Sequence, residues 1–125
     1  MSLRVLVVDD FPDTAVVTSM LLGMRGYDCR WALTGAEALA IADEFDPDVA
    51  LLDLGLPDLS GFEIARTLRT RGDKRLYLAA VTGWSDAETR ARAFEVGFDV
   101  HVIKPTDRFK LDIVMRGAER ARAAA

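Results

Sequence analysis

The sequence predicts an α/β fold: a single doubly wound domain over residues 1–125, with a five-stranded parallel sheet in the order 2-1-3-4-5 and five helices. Three observations predict it. Strand-like and helix-like segments alternate from end to end. Residues 4–8, 49–52 and 76–81 are continuously apolar or nearly so, as strands covered on both faces should be. Finally, four apolar runs each stop at a residue able to grip a phosphate or a magnesium ion: Asp9 and Asp10, then Asp53, Thr82 and Lys104. In an open parallel sheet the strand C-termini converge on one edge, and ligands bind in the crevice outside it.

The elements justify themselves in chain order. The first strand, 4–8, leads into a helix on which Val17, Leu21 and Met24 recur at helical spacing, as core positions should. Gly26 marks its end. Tyr27, Cys29 and Trp31 alternate with Asp28, Arg30 and Ala32, the pattern of an edge strand. Thr34 with Glu37, Ser60 with Glu63 and Ser85 with Glu88 are spaced as capping boxes, so each opens a helix. Gly72 and Gly97 fall where the third and fourth helices should stop. Residues 98–103 interrupt their apolar run with Asp99 and His101 and form the other edge strand. On the last helix Leu111, Val114 and Met115 face the core, while Arg116, Arg120 and Arg122 suit a solvated helix end.

Bulk properties narrow the function. Half of the 125 residues are apolar, enough for a core without disulfides, and the lone Cys29 cannot form one internally. No apolar stretch approaches the roughly 20 residues that span a bilayer, and no signal peptide opens the chain. These features predict a cytoplasmic protein with no membrane insertion. The formal net charge of -4 argues against direct nucleic-acid binding, which needs a basic face.

With strand order 2-1-3-4-5 the ends of the first and third strands are neighbours at the switch point, so Asp9, Asp10 and Asp53 share one pocket. Two unit charges about 4 Å apart repel by roughly 4 kcal/mol at an effective dielectric near 20. Magnesium would offset that repulsion, being a hard cation that takes one or two carboxylates and completes its shell with water and phosphate oxygen. Lys104 adds a fixed positive charge. A carboxylate so placed can attack a phosphoryl group and form an aspartyl phosphate. No separate base is needed, because an ionised carboxylate has no proton to lose. Each residue also has a plainer reading: Asp9 and Asp10 as a turn or helix cap, Thr82 as a strand residue, Lys104 as a snorkelling side chain. The joint pattern is far more specific than any one member.

Four motifs carry a family resemblance: Val-Leu-Val-Val-Asp-Asp-Phe at 5–11, Leu-Leu-Asp-Leu-Gly-Leu-Pro-Asp-Leu-Ser-Gly at 51–61, Val-Thr-Gly at 81–83 and Val-Ile-Lys-Pro at 102–105. In this order they make the whole chain resemble the CheY-like receiver domains of bacterial two-component response regulators. The resemblance implies that Asp53 is the phosphoacceptor, that Asp10 binds magnesium directly with help from Asp9, and that the Gly55 carbonyl completes the protein ligands. It implies that Thr82 and Lys104 bind phosphoryl oxygens and that the Lys104-Pro105 bond is cis. It further implies a switch that couples Thr82 to a ring on the last strand. Here that ring is His101, where Tyr or Phe is commoner. A histidine there either swings as the switch, with a possible sensitivity to pH, or is a passive surface residue. Gly55 and Trp84 stand where family members flank the path of hydrolytic water, although Trp84 fits a loop aromatic covering a helix start equally well.

The phosphoryl donor implied is a histidine kinase or a histidine phosphotransfer protein. A downstream protein partner is expected at the face of the fourth helix, fifth strand and fifth helix, with Arg90, His101 and Ile103 as contacts. The chain catalyses only its own phosphorylation and dephosphorylation on this reading, with no output domain. A receiver excised from a hybrid sensor kinase and a phosphorylation-independent binding module remain as alternatives. A haloacid-dehalogenase-type phosphatase needs a second Asp where this chain has Gly55, and an FMN-binding module would find the loop from Asp9 to Asp13 too acidic.

Overall fold

The computed structural model describes residues 2–71, 76–83 and 86–124. Strands and helices alternate as β1 (Arg4–Val8), α1 (Pro12–Gly23), β2 (Asp28–Ala32), α2 (Gly35–Phe45), β3 (Val49–Asp53), α3 (Gly61–Arg71), β4 (Tyr77–Thr82), α4 (Ala87–Glu95), β5 (Val100–Ile103) and α5 (Arg108–Ala124). The sheet runs β2-β1-β3-β4-β5 with every pairing parallel, as the sequence predicts. Successive side chains of a strand point to opposite faces, so the three inner strands feed two cores at once. Leu6, Val8, Ala50, Leu52, Leu78 and Ala80 pack with Ala38 of α2, Ile64 of α3 and Ala93 of α4. Val5, Val7, Val49, Leu51, Ala79 and Val81 pack with Leu22 of α1 and Leu111, Val114 and Met115 of α5. Each fully buried Leu or Val contributes about 1.5–3 kcal/mol.

One local expectation is corrected. On α1 the buried stripe is Ala15, Thr18, Ser19 and Leu22, whereas Val17 and Met24 are 52% and 83% exposed and Leu21 is only partly buried. Apolar residues surround this helix on most sides, so spacing alone does not define its inner face, and the small side chains at 15, 18 and 19 let it lie close to the sheet. On β2 Ala32 is buried and Trp31 is 45% exposed. Both edge strands are nonetheless where their mixed patterns put them.

The N-cap of α4 is Asp86, whose side chain accepts from the Thr89 amide at 2.6 Å. Ser85, and with it the expected Ser85 and Glu88 box, lies outside the described residues, as do Trp84 and Gly72. At the other two the hydroxyl cap forms: Thr34 Oγ1 accepts from Glu37 N at 3.1 Å and Ser60 Oγ from Glu63 N at 3.2 Å, while Glu37 Oε1 accepts from Leu33 N at 2.9 Å. Gly97, at φ +109°, follows α4 in the left-handed conformation that favours glycine. The last helix continues past Arg116 and Arg120 to Ala124, and Arg122 reaches Asp48 at 3.7 Å.

Candidate functional site

The crevice is built at the C-terminal ends of β1, β3, β4 and β5. Asp9 directly follows β1, and its amide continues the ladder onto the Ala32 carbonyl at 3.1 Å. Its Oδ1 accepts from Phe11 N at 2.9 Å, which closes a tight turn into α1. The turn occupies one oxygen of Asp9, and the other, Oδ2, lies 3.1 Å from Lys104 Nζ. Asp53 closes β3; its Oδ1 accepts from Gly55 N at 2.9 Å and its Oδ2 from Lys104 Nζ at 3.0 Å. Asp9 and Asp53 are only 4% and 7% exposed, while Asp10 faces solvent.

Carboxylate oxygens of Asp9, Asp10 and Asp53 lie within 4.8 Å of one another. Among the described residues one ammonium, that of Lys104, pairs with this group of three carboxylates, and all the group's donors are hard oxygens. That combination fits a small divalent cation. Lys104 is not simply snorkelling. Burial by itself pulls its pKa down, but the hydrogen bonds to Asp53 and Asp9 outweigh burial and hold it above the ordinary 10.5.

Backbone geometry fixes where Lys104 points. It follows β5 directly, its amide donates to the Thr82 carbonyl at 2.7 Å, and the Lys104-Pro105 bond is cis. Lys110 on α5 secures the same turn, its Nζ donating to the Ile103 carbonyl at 2.7 Å and the Pro105 carbonyl at 3.2 Å. Thr82 ends β4, is 1% exposed, and pairs in register with Ile103. His101 pairs with Ala80, two residues further back along the strand. Thus Asp9, Asp10, Asp53 and Lys104 come together directly, Thr82 joins them through the backbone at the adjoining strand end, and His101 stands behind them on the edge strand.

Two supporting residues carry no visible signal in the sequence. Asp58, in the loop after β3, accepts from Gly35 N at 2.8 Å and Ala36 N at 3.0 Å, so it caps α2 from a distance. These amides pull its pKa below the ordinary carboxylate value. Gly61 opens α3 so close to the end of β3 that a Cβ there would lie 2.6 Å from the Asp53 carbonyl oxygen and 2.8 Å from Leu54 Cα. Both lie within the Leu51 to Gly61 motif, but only the fold reveals what each touches.

A family model described as the response regulator receiver domain matches residues 5–116. The chain belongs to the response regulator receiver family. The transcriptional regulatory protein KdpE of Mycobacterium tuberculosis is 37% identical over 121 residues, covering 97% of this chain and 53% of its own length. A CheY-like receiver domain protein from Methanospirillum hungatei superposes with a TM-score of 0.89 at 26% identity, each chain covered in full. The response regulator DrrB of Thermotoga maritima gives 0.85 at 34% identity over 97% of this chain and 54% of that one. This receiver domain therefore spans about half the length of the curated relatives it matches. Among its described residues no helix is long and apolar enough to cross a membrane.

Proposed function

We propose that this receiver domain takes a phosphoryl group from the phosphorylated histidine of a histidine kinase or phosphotransfer protein onto Asp53. The observation that carries the reading is the Asp53 carboxylate itself: buried at a strand end, steered by the Gly55 amide, held by Lys104, and beside two further carboxylates. An Asp53 oxygen forms the new P–O bond as the donor's P–N bond breaks, and the departing imidazole nitrogen keeps the electron pair and then takes a proton from water. Asp53 loses no proton in this step. Lys104 stays charged through the neutral range, since its partners raise its pKa, and it offsets charge on the phosphoryl oxygens. Thr82, at the adjoining strand end, supplies a hydroxyl donor to a second oxygen. A magnesium ion held by Asp9, Asp10, Asp53 and the Gly55 carbonyl would supply charge neutralisation and orientation to those oxygens when bound.

The chain acts on itself only, and its signal is read elsewhere. The reader is a protein partner at the face of α4, β5 and α5, where Arg90 is exposed and His101 and Ile103 are partly exposed. Incubation with acetyl phosphate or phosphoramidate plus magnesium, followed by intact mass, tests the transfer. The wild type should gain one phosphoryl group and Asp53→Asn none; equal labelling of the two would overturn the assignment.

A further inference from the structure

Lys110 is a cation that the site chemistry does not use, yet it grips the turn that carries Lys104. Its Nζ donates to the Ile103 carbonyl at 2.7 Å and to the Pro105 carbonyl at 3.2 Å. Those two carbonyls stand on either side of Lys104. One ammonium thus brackets the residue whose own ammonium lies 3.1 Å from Asp9 and 3.0 Å from Asp53.

The edge position of β5 explains the need for such a grip. β5 ends the sheet order beside β4, and an edge strand turns every second residue's backbone groups away from its neighbour. Lys104 N points inward to the Thr82 carbonyl at 2.7 Å, so the Ile103 carbonyl points toward the open edge of the sheet, where Lys110 meets it. Pro105 has no N–H with which to fasten the turn. The fastening comes from α5 instead. Asp107 N donates to the Pro105 carbonyl at 3.1 Å, Asp107 Oδ1 accepts from Lys110 N at 2.9 Å, and the Lys110 side chain reaches back across this first helical turn. Its neighbour Leu111 is fully buried and seats the helix in the core, so the grip has a firm anchor. Hydrogen bonds from a charged donor are also roughly twice as strong as neutral ones.

We propose that Lys110 is a positioning residue for phosphoryl transfer, fixing the backbone on both sides of Lys104 and so holding the Lys104 ammonium against the Asp53 carboxylate. No bond is made or broken at Lys110 itself. Without its grip the turn loosens, and Lys104 no longer stays within hydrogen-bond distance of Asp53. The effect on transfer rests on Asp53 as the phosphoacceptor; the hold on Lys104 does not.

Two measurements on the full chain test this. The first is heteronuclear NMR of the Lys104 ammonium at neutral pH, a signal identified by its absence in Lys104→Met and visible only while ion pairing slows its exchange with water. It should be lost or shifted in Lys110→Met and present in Lys110→Arg, which keeps a charged donor. The second is the rate of labelling by phosphoramidate with magnesium. Lys110→Met should label roughly tenfold more slowly than the wild type, since a misplacement of about 1 Å can cost roughly a hundredfold. Lys110→Arg should recover most of the rate, and adding Lys110→Met to Lys104→Met should slow labelling no further. That double variant separates positioning from the mere loss of a nearby positive charge, which would slow both backgrounds alike. A Lys104 signal unchanged in Lys110→Met, or equal slowing on the two backgrounds, refutes the positioning role. A wild type that takes no label at all would sink the Asp53 reading instead, and the NMR measurement would then decide the hold on Lys104. Should Lys110→Met not fold, Lys110→Gln, too short to span both carbonyls, takes its place.

Discussion

Lys104 sets the charge balance of the crevice, and its removal has a calculable direction. Without the ammonium, Asp9 and Asp53 are left buried and facing each other, with Asp10 nearby. Stripping one partner from a buried ion pair costs about 3–5 kcal/mol. Lys104 is partly exposed and solvent screens the pair, so about 2 kcal/mol is expected for Lys104→Met in urea unfolding without magnesium. A variant as stable as the wild type would contradict the pairing. The sign with pH follows from the raised pKa: the folded protein holds this proton more tightly than the unfolded chain does. Its contribution is complete below 10.5 and is lost as pH climbs through the higher folded value. Tyr27, pushed up to about 12 by burial and its bond to Glu119, acts in the same direction in both proteins, so the difference between their alkaline curves isolates Lys104. At this scale the site was legible from residue type and position. The double duty of Asp9, turn and ion pair together, was not, because each oxygen's partner comes from a different part of the chain.

Helix ends and close approaches decide the next scale, and there local sequence says less. Thr34 and Glu37 announce the start of α2, yet two of its orphan amides, Gly35 N and Ala36 N, are taken by Asp58 from a loop more than 20 residues away. Thr34 with Glu37 is visible because capping within a helix has fixed spacing; Asp58 is invisible because capping across the fold has none. On α1, likewise, periodicity does not separate the face toward the sheet from the face toward solvent when both carry aliphatic residues. Two substitutions in the loop after β3 should therefore behave differently. Asp58→Ala removes a cap and should lower the stability of the protein while leaving phosphoryl gain at Asp53 largely intact. Gly61→Ala drives a methyl group into the backbone of Asp53 and Leu54, where nothing can swing aside, and should cost about 2 kcal/mol. It should also slow labelling by small phosphodonors, since Asp53 itself must shift. Unfolding curves and labelling rates measured on both variants check this; a Gly61→Ala protein that is less stable but labels at the wild-type rate would mean that the contact serves packing alone.

Across the whole molecule, strand order converts a scattered set of residues into a site. Asp9 and Asp53 are 44 positions apart in sequence, yet parallel pairing of β1 with β3 leaves their strand ends side by side, and parallel β4 and β5 bring Thr82 and Lys104 to the same edge. That rule of topology is why the crevice could be read before the fold was seen, while the cap on α4 and the inner face of α1 could not. The same convergence makes the metal-free crevice a point of self-repulsion in the folded state, which the unfolded chain relieves by separating its aspartates. A divalent cation that binds only the folded site should therefore stabilise the protein by mass action, about 1.4 kcal/mol at ten times its dissociation constant. For a domain of this size that corresponds to a rise of roughly 3–6 °C in melting temperature. Asp10→Asn removes the solvent-facing member of the cluster. It should shrink the response to magnesium and, by easing the repulsion, raise the melting temperature of the metal-free protein. Thermal unfolding with millimolar magnesium and with a chelator, on wild type and Asp10→Asn, measures both effects. A wild-type melting temperature indifferent to magnesium would show that the three carboxylates, close as they are, do not share an ion.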